Sequence, residues 1–356
     1  MSTEGSFFHL RENPDTDDLL VLFCGANTEP GRFDGFQVLE GIAFSIAFVN
    51  CPDNGYYVSE VPGVGAHWRE SAGFFRDLAT RYRRRGGRVV SYGNSMGAYA
   101  AVLYGCLMEA DLAIGLATET ILNIADGALM RTRENRPVDG PLLTEVLAAT
   151  ATPTVLWAGE KFLADMVCAA AVRHRPRTVT VGVRNAFHTI APFVHARFGL
   201  RPFLEAVMAE PAFGVGGPVA GTLIDRPGLV EALYAASIAA GPAEALDILA
   251  GADSGVPEGA DLAYHRVAMA RALLDTGRPD EAYVHARDAR RCNPGDVEAA
   301  VVLARSLVRL GREAEARAEC RRMAADHDPH LAVQVAYRRL LDEAAALAGG
   351  ATPLQK

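Results

Sequence analysis

Residues 88–107 read RVVSYGNSMGAYAAVLYGCL. Arg88 to Tyr92 is a short β-rich apolar run, Ala98 to Leu107 is a helical one, and Gly93-Asn94-Ser95-Met96-Gly97 joins them. A G-x-S-x-G turn between strand and helix puts a serine where small neighbours let its Oγ project freely and let the following N–H point at a developing oxyanion. The bare pattern is only suggestive, and the strand before it and the helix after it are what give it weight.

Five further runs of the same kind flank this one: Leu19 to Gly25, Ser45 to Asn50, Leu112 to Ala117, Thr154 to Ala158 and Thr178 to Val183. Each is apolar on both faces, which predicts a parallel sheet covered by helices on both sides. Between the second and third strands, Trp68, Ala72, Phe75, Ala79 and Tyr82 fall at alternating spacings of four and three, forming one helical stripe. That helix runs into Arg83 to Arg85 and Gly86-Gly87, cations and glycines being well suited to a helix C-terminus.

The chain has 356 residues, more than a single core of ordinary size organises, so two domains are expected. After the Gly/Pro-rich passage Pro211 to Pro227 the strand pattern stops and alanine-rich amphipathic helices take over. Gly277-Arg-Pro-Asp-Glu-Ala282 recurs as Gly311-Arg-Glu-Ala-Glu-Ala316, a spacing of 34 residues (311 minus 277). A shorter echo, Gly241-Pro-Ala-Glu-Ala245, lies 36 residues upstream (277 minus 241). The segment from about 229 to 345 therefore resembles a tetratricopeptide array of two clear repeats and one degenerate one. The expected division is 1–210 for an α/β domain, 211–228 for a linker and 229–350 for an all-α repeat domain.

Charge narrows the function classes. With 35 Lys+Arg against 43 Asp+Glu and a net charge of −8, the chain would repel a phosphate backbone or an anionic leaflet, so nucleic acid and membrane are not expected partners. The repeat region from 261 to 345 balances 14 basic against 14 acidic residues and offers no charged landing strip. No apolar run reaches the roughly 18 to 20 residues of a spanning helix, and Met1 to Asp18 has no basic-then-apolar segment. Cys24, Cys51, Cys106, Cys168, Cys292 and Cys320 lack C-x-x-C spacing, so a reducing, cytoplasmic setting is expected, with neither metal nor cofactor.

On the elbow at 93–97, residues 7–205 resemble the α/β-hydrolase superfamily, whose chain order is nucleophile, acid, histidine. That resemblance implies Ser95 as nucleophile, His188 after the last strand as base, with His195 as fallback, and a carboxylate after the next-to-last strand, Asp165 in preference to Glu160. Phe162 stands where many members carry the acid. The resemblance further implies an oxyanion hole made by the Met96 N–H and one N–H from the Gly25-Ala26-Asn27 loop, with Ala26 and Asn27 the candidates, and a pocket touched by Asn94 and Gly25. Cys24-Gly25-Ala26-Asn27 replaces the HG-type sequence of many relatives, so the hole would rest on backbone alone. Residues 118–151 hold the place of a lid, and Arg131, Arg133 and Arg136 within it read as a solvated face before an anion site. His67-Trp68 and Tyr56-Tyr57 are candidates for the entrance rim, with packing the plainer account.

The expected activity is serine-dependent attack on a short acyl ester, acetyl first, of a small polar or natural-product molecule. On the same scaffold His188 could act as base for eliminating acetate from an acetylated intermediate, as relatives in tetronate pathways do; acyl transfer to an alcohol is a third outcome. The Arg- and Ala-rich, Lys-poor composition fits a GC-rich bacterial source. An alternative of another class is an inactive hydrolase fold serving as a repeat-based protein-binding scaffold. The repeats imply a homodimer or a protein partner.

Overall fold

The computed structural model describes residues 5–209, 220–252 and 259–349. The chain separates into two compact units: one runs up to Val183 and resumes from His188 to Ala220, and the other takes Arg184–Phe187 and everything from Gly221 onward. Residues 211–219 of the expected linker lie outside the described residues, and a helix already begins at Pro227.

In the first unit, strands β1 (Phe8–Arg11), β2 (Leu19–Phe23), β3 (Ser45–Val49), β4 (Val89–Asn94), β5 (Leu112–Leu116), β6 (Thr154–Gly159) and β7 (Thr178–Val183) lie in one sheet. The order is β1-β3-β2-β4-β5-β6-β7-β8, the last being the two-residue piece Ala220–Gly221. Every residue of β2, β3 and β5 is buried, as continuous apolar runs demand when helices cover both faces.

Two features qualify the expected, mostly parallel sheet of strands buried on both faces. Strand β1 pairs antiparallel with β3, Phe8 opposite Val49, so the sheet is mixed. Its burial alternates, with Phe8 and Leu10 inside and His9 and Arg11 half-exposed, so it presents no continuous apolar run to find. Strand β7 is buried only over its last three residues, and Val179 is 53% exposed.

Helices α1 (Trp68–Arg83), α2 (Met96–Leu107), α3 (Ala128–Thr132), α4 (Leu143–Ala149), α5 (Leu163–Val172), α6 (Ile190–Phe198) and α7 (Leu200–Ala209) complete this unit. The expected stripe of α1 faces inward through Ala72, Phe75, Ala79 and Tyr82, and Gly86 adopts φ +90 just past its end. Phe23 meets Tyr57 edge-on at 5.4 Å and Phe75 at 5.2 Å, and Phe75 meets Tyr104 at 4.8 Å. Rings of this size carry much of the buried apolar area, and edge-on packing adds a further increment. Helices α3 and α4 occupy the interval expected to hold a lid.

Chain direction decides where a ligand can enter. From β2 the chain steps outward to β3 and then returns to the other side of β2 for β4. Such a reversal leaves a crevice beyond the carboxyl ends of the two central strands. Phe23 pairs with Gly93 at that edge, so the loop after β2 and the elbow after β4 open from neighbouring strand ends.

The second unit is helical: α8 (Pro227–Ser237), α9 (Pro242–Ala252), α10 (Ala260–Asp275), α11 (Pro279–Cys292), α12 (Val297–Arg309), α13 (Glu313–Asp326) and α14 (Val335–Gly349) follow one another. The 34-residue period is visible in individual bonds. Arg278 N–H donates to Leu273 O and Arg312 N–H to Leu307 O, each 34 positions apart. Gly277 at φ +76 and Gly311 at φ +72 make the same left-handed turn, which glycine enters without strain. Arg278 grips Glu281 with two bonds of 2.7 Å, and Arg312 grips Glu315 likewise. Ala270, Leu273 and Ala282 are buried in the first repeat and Ala304, Leu307 and Ala316 in the next. Among the described residues, no helix is long and apolar enough to cross a membrane.

Candidate active site

Ser95 sits between the end of β4 and the start of α2 with φ 53 and ψ −118, a conformation that costs a non-glycine residue about 1–3 kcal/mol. Its N–H is held by Leu116 O at 2.8 Å, and its carbonyl takes the first bond of the helix, from Ala98 N–H. The flanking glycines are required by contact. A Cβ on Gly93 would lie 2.1 Å from Gly97 O, and one on Gly97 would lie 2.2 Å from Phe23 O. Strand and helix thus approach so closely that the serine hydroxyl is carried outward on the turn between them.

Ser95 Oγ lies 2.7 Å from His188 Nε2, and His188 Nδ1 lies 2.8 Å from Asp165 Oδ2. Asp165 enters from the first turn of α5 after β6, and His188 follows β7. All three side chains therefore come from carboxyl ends of parallel strands. Asp165 is fully buried, and its Oδ1 has no hydrogen-bond partner among the described residues. With Oδ2 bonded to Nδ1, that nitrogen carries the proton and Nε2 is left as acceptor toward the serine.

Burial pulls the His188 imidazole toward its neutral form. The adjacent Asp165 charge, the hydrogen bond to it and the charge of Glu119 outweigh that pull and hold the pKa above the ordinary 6.5, with Arg131 acting the other way. Glu119 is itself buried, which with the nearby Asp165 raises its pKa to about 7. Its Oε2 accepts from Tyr56 OH at 2.7 Å and from Leu129 N–H at 2.8 Å, while Oε1 has no hydrogen-bond partner among the described residues. A base must be neutral to accept a proton, so reactivity of Ser95 is expected to fall as pH drops through a limb lying above 6.5. Glu119→Gln removes a charge that favours the imidazolium, and this limb should move to lower pH; a pH series of Ser95 modification rates measures it.

The loop after β2 is tightly fixed. Gly25 N–H donates to Asp34 Oδ2, and Asn27 N–H donates to Asn54 Oδ1, both at 2.8 Å. The Asn50 amide reaches three carbonyls, those of Thr28, Glu29 and Arg32. Asn27, expected as a possible oxyanion donor, has thus already committed its N–H, which leaves Ala26 as the loop's candidate beside Met96. Asn94 is half-buried at the end of β4 and lies next to Gly25.

The remaining candidates fall elsewhere. His195 belongs to α6 and faces Tyr92 OH at 3.3 Å. His67 caps α1 by accepting from Arg69 N–H. Tyr57 is buried, donating to the carbonyls of Cys24 and Val49. Arg131 pairs with Asp126 and lies over the Phe162 ring, which packs 4.8 Å from the His188 ring. Arg133 donates to Asp53 O and Asn54 O. Phe162, at the position where the resemblance implies an acid in many members, thus packs against the His188 ring instead. Among the described residues no cluster of His, Cys, Asp and Glu could hold a metal ion.

Comparison with known proteins bears on the helical region. Residues 273–342 match the family model of the tetratricopeptide repeat. The matched stretch begins late in α10 and ends in α14, so it covers both turns at Gly277 and Gly311. Tetratricopeptide repeats commonly mediate protein interactions. No curated protein matches the chain. The solved structure of MenH from S. aureus overlays 53% of this chain and 92% of its own with a TM-score of 0.36, at 14% identity.

Proposed function

We propose that the first unit is a serine-dependent enzyme of α/β-hydrolase type that acts on a short acyl ester, acetyl first, of a small molecule. The observation that carries this reading is the continuous chain Ser95 Oγ, His188 Nε2, His188 Nδ1, Asp165 Oδ2, with links of 2.7 and 2.8 Å. The elbow between strand and helix and the order Ser, Asp, His along the chain support it.

In this reading His188 Nε2 takes the Ser95 hydroxyl proton as Oγ bonds to the acyl carbon. The carbonyl oxygen becomes an anion, met by the N–H groups of Met96 and Ala26. Each such donor is typically worth about 3–4 kcal/mol of barrier. Collapse breaks the bond to the alcohol oxygen, which takes the proton back from His188 and leaves acyl-Ser95. Water, deprotonated by the same imidazole, then releases the acid. Asp165 holds the ring tautomer and balances its charge when protonated. The backbone strain at Ser95 and the fixed loop after β2 mean that little has to reorganise during the step.

The test is covalent. A fluorophosphonate probe is expected to add one equivalent to the intact protein, mapped to Ser95 by peptide mass spectrometry, and Ser95→Ala should remove the adduct. A folded wild-type protein that takes up no probe would favour the binding-scaffold reading. A series of nitrophenyl esters then reads acyl length, and product analysis on acetylated metabolites separates free alcohol from alkene, which is to say hydrolysis from elimination.

A further inference from the structure

Two side chains that follow β3 anchor the loop after β2, and all of these residues lie in the sheet unit. The first is Asn50, directly after β3, a polar residue with 0% exposure. Its Nδ2 reaches Thr28 O at 3.0 Å, Glu29 O at 3.1 Å and Arg32 O at 3.3 Å, while its Oδ1 accepts from Cys51 N–H at 2.7 Å. A buried amide bonded this fully fixes the chain it grips. The second is Asn54, half-buried in the turn that follows. Asn54 Oδ1 accepts from Asn27 N–H at 2.8 Å, and Asn54 Nδ2 donates to Asn27 Oδ1 at 2.9 Å, a reciprocal pair of amides. Asn54 is itself held, because Arg133 Nη1 donates to its carbonyl at 3.2 Å and to that of Asp53 at 2.9 Å.

These bonds bracket one donor. Gly25 N–H goes to Asp34 Oδ2, Gly25 O accepts from Thr28 OH at 3.0 Å, and Asn27 N–H goes to Asn54. Of the N–H groups of residues 25–27, that of Ala26 is the one with no partner among the described residues. Asn27 turns the chain immediately afterwards at φ 63, a left-handed conformation that asparagine tolerates better than most residues. The loop also lies against the elbow: a Cβ on Gly25 would be 3.5 Å from the carbonyl oxygen of Asn94, the residue before Ser95.

We propose that Asn54 and Asn50 are positioning residues for the oxyanion donor: they hold the loop after β2 so that the uncommitted Ala26 N–H stands beside the elbow. This rests on the serine-enzyme reading for its catalytic meaning, but the anchoring can be measured without any reaction. Neither side chain touches a reacting atom. An oxyanion donor has to sit about 2.7–3.1 Å from the place where the negative oxygen forms, so a loop that drifts by about 1 Å forfeits most of its effect.

The experiment uses full-length protein. Ala26-Asn27 is the only Ala-Asn pair in the sequence, so labelling with carbonyl-13C alanine and 15N asparagine isolates the amide signal of Asn27. Asn54→Ala removes both bonds to Asn27, and solvent exchange of that amide is expected to quicken by about tenfold or more. The limiting acylation rate with nitrophenyl acetate is expected to fall about 10- to 100-fold, with half-saturating concentration nearly unchanged. Nitrophenyl thionoacetate presents a sulfur that accepts hydrogen bonds weakly, and its rate should fall by less than about threefold. A merely structural role would lower both rates alike and leave their ratio where it was. Asn54→Asp still accepts from Asn27 N–H and should restore most of the lost rate. Asn50→Leu keeps side-chain bulk, removes the three carbonyl bonds and should move the ratio in the same direction; if it does not fold, the Asn54 variants decide. Unchanged exchange, or an unchanged ester-to-thionoester ratio in a folded, active variant, overturns the proposal. If the wild type is acylated by neither compound but exchange still quickens, the anchoring stands and the serine-enzyme reading alone falls.

Discussion

Replacing His188 with alanine is expected to slow acylation of Ser95 by about 10,000-fold or more, since the hydroxyl would lose the acceptor 2.7 Å away. Single-turnover measurement of acyl-enzyme formation from a nitrophenyl ester reads this directly. Asp165→Asn should cost about 10,000-fold with the fold intact, because an amide can donate to Nδ1 and so favour the wrong tautomer. The effects should not add: Ser95→Ala combined with His188→Ala is expected to be no slower than either alone. A scaffold protein whose serine and histidine merely pack together would show no such rate to lose. Stability is a separate readout, since His188→Ala leaves the fully buried Asp165 carboxylate without its partner at 2.8 Å.

Gly97→Ala is the second large effect, and it falls on folding as well as chemistry. The added methyl would lie 2.2 Å from Phe23 O, 2.6 Å from Cys24 O and 2.7 Å from Phe23 C. These are backbone atoms of the central strand and the residue after it, so no side chain can swing away to make room. Overpacking of this kind costs about 3 kcal/mol when the surroundings yield and more when they do not. Urea titration followed by tryptophan emission should show the loss through Trp157, buried in β6. The same methyl would push the elbow away from β2, so probe uptake at Ser95 should fall even in the fraction that folds.

How far the sequence could be read depended on how local the signal was. Strands that are buried on both faces, such as LLVLF at 19–23, announce themselves because every side chain is apolar. FHLR at 8–11 does not: an edge strand needs only alternate residues inside, and four residues of alternation fall below notice. Ser95 and His188 were legible because strand ends bracket them. Glu119 was not. It follows β5 in an unremarkable Thr-Glu-Thr, and only the folded chain brings it to Tyr56 and within the field of Asp165. The repeats were legible from two glycines 34 residues apart. That Asn185 and Phe187 pair with Asn293 and Gln334 had no sequence signal at all, because the partners lie 108 and 147 residues away and each is an ordinary amide.

The Phe187–His188 peptide bond joins a residue of one unit to a residue of the other. The helical unit is thus discontinuous along the chain, made of residues 184–187 and of those from 221 onward. Trimming the chain after Ala220 would strip Asn185 and Phe187 of their amide partners, and expressing residues 221–349 alone would leave Tyr264, Asn293 and Gln334 around an empty slot. Any piece of this chain cut to carry the repeats therefore has to bring residues 184–187 along with the helices they pair with.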